Sequence, residues 1–114
     1  MKALWIRSDL QTVEEVDYTG LLDMQRMVGG LVQPAYEFHN RDIVFVDKEG
    51  MLKRYPTFFI IRGGCQPYCG NGLLVGRNRR TPGLTFDPRT TRNELVGTIR
   101  FCTAADILHA HGHA

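Results

Sequence analysis

One serine, Ser8, serves the whole chain, and no apolar run is longer than four residues. The short runs exclude a helical membrane span, which requires ~20 consecutive apolar residues. The missing serines remove the Gly-x-Ser-x-Gly nucleophile, and neither a P-loop nor a His-Glu-x-x-His zinc signature occurs. Gly70, Gly72 and Gly76 are spaced differently from the dinucleotide fingerprint. Cysteine is scarce and odd in number: Cys65, Cys69 and Cys102 leave at least one thiol unpaired, which argues against a disulfide framework. The amino terminus reaches Asp9 before a signal-peptide core develops, so the expected compartment is the cytoplasm. His39 reads as a lone loop histidine, and Asp47 with Glu49 as solvated turn carboxylates. No catalytic constellation emerges, and the expectation leans away from an enzyme.

Lysine is absent from residues 62–100, which hold seven arginines and only two acids. Residues 1–61 balance seven basic against nine acidic side chains. The positive charge of the second half is therefore guanidinium, whose planar fork suits phosphate and carboxylate. Six of the twelve glycines fall within 63–83. That segment reads as a Gly/Arg-rich loop with one short strand at Leu73-Leu74-Val75, and long loops in compact domains are often functional. The candidate ligand-binding residues are Arg77, Arg79, Arg80, Arg89 and Arg92. They would neutralise the phosphates of a small molecule or, alternatively, of nucleic acid. Cys65, Cys69 and Cys102, with His109, His111 or His113, form a weaker candidate zinc set, since zinc takes four thiolate or imidazole ligands. The competing reading makes Cys102 a core residue and 109–114 a frayed tail, with no cofactor.

The 114 residues suit one domain. Residues 2–8 and 12–17 have strand character, with Trp5, Ile6, Val13 and Val16 as the apolar positions. Thr19 is placed to begin a helix in which Leu21, Met24, Met27 and Val28 form the apolar stripe, and Gly29-Gly30 ends it. Residues 31–38 predict a strand that Pro34 restricts to an edge or a bulge. A strand buried on both faces follows at 42–46, then a hairpin turn in which Gly50 takes positive φ. Residues 57–62 and 95–102 predict further strands. Thr103 with Asp106 forms a capping box for a short C-terminal helix. These elements imply an α+β fold: a mostly antiparallel sheet, one covering helix and a short terminal helix.

Two motifs taken with their flanking strands, Val28-Gly29-Gly30-Leu31-Val32 and Val44-Phe45-Val46-Asp47-Lys48-Glu49-Gly50-Met51-Leu52-Lys53-Arg54-Tyr55-Pro56, precede Gly70-Asn71-Gly72-Leu73-Leu74-Val75-Gly76. From Met1 to about Gly76 this order resembles small proteins encoded by bacteriophages and plasmids, especially of actinobacteria, that form a domain-of-unknown-function family. The two-cysteine insertion at 63–72 and the tail after Arg77 depart from the family pattern. The resemblance implies a mobile-element accessory protein in the cytoplasm of a host bacterium, acting by sequestering or blocking a host component, and it transfers no catalytic residue. The expected partner is a phosphorylated small molecule such as a nucleotide. The alternatives are a host protein bound through the sheet or the 63–83 loop, and nucleic acid. A homodimer through edge strands stays open.

Overall fold

Alternation at the amino terminus sets up a sheet with two buried faces. In β1 (Lys2–Arg7), Ala3 and Trp5 turn to one side while Leu4 and Ile6 turn to the other. The computed structural model describes residues 1–64, 66–81 and 83–111, with side chains as far as residue 107. β1 pairs antiparallel with β2 (Thr12–Asp17), and α1 (Gly20–Val28) follows. β3 (Val32–Glu37) and β4 (Ile43–Asp47) pair antiparallel, with a register shift between Pro34 and Tyr36 where the proline was expected to cause one. The short α2 (Gly50–Lys53) leads to β5 (Thr57–Ile61), β6 (Tyr68–Cys69) and β7 (Gly72–Val75). The described chain ends in α3 (Arg92–Thr98), β8 (Ile99–Thr103) and α4 (Ala104–His111).

The α+β class and the antiparallel pairing are as the sequence implied, but among the described residues the strands divide into two sheets. One has the order β2-β1-β7-β4-β3 and the other β6-β5-β8. β7 joins between β1 and β4 through two antiparallel ladders. The segment expected to be mainly loop thus supplies the centre of the larger sheet. Leu73, Leu74 and Val75 have no exposed surface.

On one side of this sheet, Ala3, Ile43, Leu73 and Val75 pack with Met24, Met27 and Val28 of α1. On the other, Leu4, Ile6, Val44 and Leu74 meet Phe59 and Ile61 of the second sheet and Leu95 of α3. The result is helix on sheet on sheet. Gly72 permits the close approach of the sheets: a Cβ there would lie 2.7 Å from Phe59 Cζ.

Three local expectations are corrected. Residues 48–52 do not form a hairpin. Gly50 is the buried first residue of α2, and positive φ falls instead on Arg54, at 56°. Residues 95–98 belong to α3, because Thr91 accepts from the Glu94 N–H while the Glu94 carboxylate accepts from the Thr91 N–H, a reciprocal cap that starts a helix. Only 99–103 is strand. Leu21 lies outside the apolar stripe of α1 and is 56 % exposed. The Thr103–Asp106 box is formed with both of its hydrogen bonds, at 2.8 and 3.2 Å. Thr19 precedes α1 as expected, but its own N–H donates to Asp23 and its side chain makes no cap.

Candidate functional site

β4 is apolar between two buried aspartates, and each carboxylate organises one end of the sheet. Asp42 at its head is fully buried. It accepts from the Arg89 N–H at 3.1 Å, the Thr90 N–H at 2.7 Å and the Thr90 hydroxyl at 2.6 Å. These bonds hold the 89–90 segment to the strand across a sequence separation of 47 or 48. The Arg89 guanidinium donates to the Arg77 carbonyl at 2.8 Å and lies 3.7 Å from Asp42.

Around this anchor a small groove of about 100 Å³ is lined by Arg41, Arg77 and Arg79 with Glu37 and Asn78. Arg41 sits at φ 79°, in the left-handed region that favours glycine. The turn is held by the Arg41 N–H donating to the Phe38 carbonyl and the Asp42 N–H donating to Asn40 Oδ1. Glu37 accepts from Arg41 at 3.3 Å. Among the described residues it is the one carboxylate lining the groove, beside three arginines.

The five arginines expected to act together are only partly gathered. Arg77 and Arg79 share the groove, and Arg89 braces it through the Arg77 carbonyl. Arg80 is exposed next to it in sequence but does not line it. Arg92 is turned elsewhere, its Nε donating to the Val13 carbonyl at 2.6 Å, so that it ties α3 to β2. Arg41, from the β3–β4 turn, was not anticipated. No local sequence signal links it to 77–79; the antiparallel pairing of β4 with β7, Ile43 opposite Val75, brings the two segments together.

Asp47, read as a solvated turn residue, is 4 % exposed. It accepts from Lys53 Nζ at 2.8 Å, the Tyr55 hydroxyl at 2.9 Å and the Glu49 N–H at 2.9 Å. Burial pushes its carboxyl up, but these donors together outweigh burial and hold it below the usual carboxylate value. Lys53 Nζ also donates to the Gly29 carbonyl at 2.8 Å, closing the end of α1. Glycines make room for the cluster. A Cβ on Gly30 would come 2.7 Å from Asp47 Oδ1, and one on Gly70 would come 2.9 Å from the Tyr55 ring. The residues that carry the family resemblance therefore meet at one point, as a structural clasp.

Cys69 and Cys102 both pair across to Phe58, from opposite sides of β5. Flanking strands on either side of a third lie ~9–10 Å apart, too far to share one zinc ion. Burial raises both thiols above their ordinary value. Among the described residues no group of three His, Cys, Asp or Glu side chains is gathered. Cys65, His113 and the side chains of His109 and His111 lie outside the described residues. No described helix is long and apolar enough to cross a membrane.

No curated protein and no solved structure matches the chain. A family described as a domain of unknown function, DUF3846, matches residues 1–87, from β1 through β7 and the Gly76–Phe86 bridge. That span contains the whole clasp around Asp47 and stops short of α3, and the chain belongs to this family.

Proposed function

We propose that this protein is a non-enzymatic accessory protein of a phage or plasmid that captures a phosphorylated host component, with a phosphate received by Arg41, Arg77 and Arg79. One observation carries the reading: three arginines from two separate segments line one groove beside, among the described residues, a single carboxylate. Arg41 occupies a backbone conformation costly for a residue with a side chain, about 1–3 kcal/mol, and such strain concentrates at binding sites. The buried Asp42 fixes the 89–90 segment beside it, so less order is lost when an anion enters. The small volume suits one phosphate group, with the remainder of the ligand resting outside.

Calorimetry against nucleoside mono-, di- and triphosphates tests the reading. Saturable binding is expected, and Arg79→Gln should weaken it roughly tenfold, the loss of one charge-assisted hydrogen bond. Absence of heat with every phosphorylated ligand would overturn it. Binding confined to oligonucleotides, with affinity falling steeply as salt rises, would assign the same arginines to nucleic acid instead.

A further inference from the structure

At the opposite end of β4 a second groove, of about 470 Å³, opens beside the Asp47 clasp. It does not depend on the arginine groove, and its volume is that of a small-molecule cleft. Two rings flank it, each held from behind. The Tyr55 hydroxyl donates to Asp47 at 2.9 Å, and its ring fills the space that the absent Cβ atoms of Gly29 and Gly70 leave. Trp5 Nε1 donates to the Met27 carbonyl at 3.0 Å. The Arg7 guanidinium lies over the indole, 4.4 Å from its centroid. Asp9 holds Arg7 through Nε at 3.4 Å and through the terminal nitrogen at 3.1 Å.

Arg7 is thus a flat cation fixed in orientation on an aromatic ring, and guanidinium planes and aromatic faces both stack flat heterocycles. Asn71 supplies direction. Its Oδ1 accepts from the Ser8 N–H at 2.9 Å and lies 3.3 Å from the Ser8 hydroxyl, while its Nδ2 donates to no described residue. Arg26 stands at the rim with its side chain 63 % exposed, its guanidinium donating to Asp23 at 3.2 and 3.4 Å, a surface pair that an incoming anion would share.

We propose that this groove binds a flat aromatic ring bearing an anionic group, as in a nucleoside monophosphate or an aromatic carboxylate. The ring stacks on Arg7 and Tyr55, a ring acceptor takes the Asn71 Nδ2–H, and the anion faces Arg26. Trp5 is the only tryptophan of the chain, so its emission reports on this groove alone.

The test titrates the full chain with nucleoside monophosphates, with indole and benzoate carboxylates, and with inorganic phosphate, reading Trp5 fluorescence. A saturable change with either ring-bearing series supports the site, and the two series separate phosphate from carboxylate recognition. Arg26→Gln should raise the midpoint severalfold, whereas Arg62→Gln, in the turn after β5 and outside the groove, should leave it unchanged. No saturable change with any ring-bearing anion, or an equal response to inorganic phosphate, overturns the proposal.

Discussion

Asp47 shows how one side chain can be misjudged when its surroundings come from distant sequence. Beside Lys48 and Glu49 it resembles a solvated turn, yet it is buried because Gly29, Gly30 and Gly70 leave space for Tyr55 and Lys53 to close over it. No local period links positions 29, 47, 55 and 70, so the clasp was legible only as a family pattern. Its electrostatics carry a consequence for stability. The folded-state carboxyl is held below its unfolded value, so its contribution is present above about pH 4 and is lost as pH falls through the folded pKa. Asp47→Asn is expected to lower stability at pH 7 by about 1–3 kcal/mol, because the replacement keeps the shape and loses the charge-assisted bonds. The deficit should shrink at pH 3. Urea denaturation at both values checks this, and an equal deficit at each would contradict it.

At the scale of elements, capping and glycine signals were informative where they were read. The Gly29 terminus of α1, at φ 97°, and the Thr103–Asp106 start of α4 both form as expected. The α3 error has the same chemistry behind it. Thr91-Arg92-Asn93-Glu94 is also a capping box, but the β-branched run that follows it reads as strand from Leu95 onward. The cap decides, because two reciprocal hydrogen bonds start the helix and Leu95 finds a buried site against Phe59 and Ile61. Thr91→Ala is therefore expected to cost about 1 kcal/mol. Thermal melting of the variant should show a lower midpoint, and an unchanged midpoint would mean that packing alone holds α3.

For the whole molecule, the class was legible and the layering was not. Alternation and apolar runs identified most strands, but β7 follows β6 by only two residues while belonging to another sheet. Strand order depends on which apolar faces meet, and those contacts lie far apart in sequence, as in Trp5 opposite Leu73. The same long-range pairing separates the arginines: Arg77 leaves the end of β7 beside Arg41, whereas Arg92 sits on α3 against β2. Only Arg77 and Arg79 of the five proposed from sequence line the groove, and Arg41 joins them because β4 pairs with β7. A reading in which the arginines act by charge count alone treats all of them alike. A reading built on the groove does not, and amide chemical-shift mapping during titration with a nucleoside triphosphate separates the two. Shifts concentrated at Arg41 and at 77–79, saturating with ligand, are the expected result, whereas shifts spread evenly over the arginines or absent from that turn would contradict the assignment.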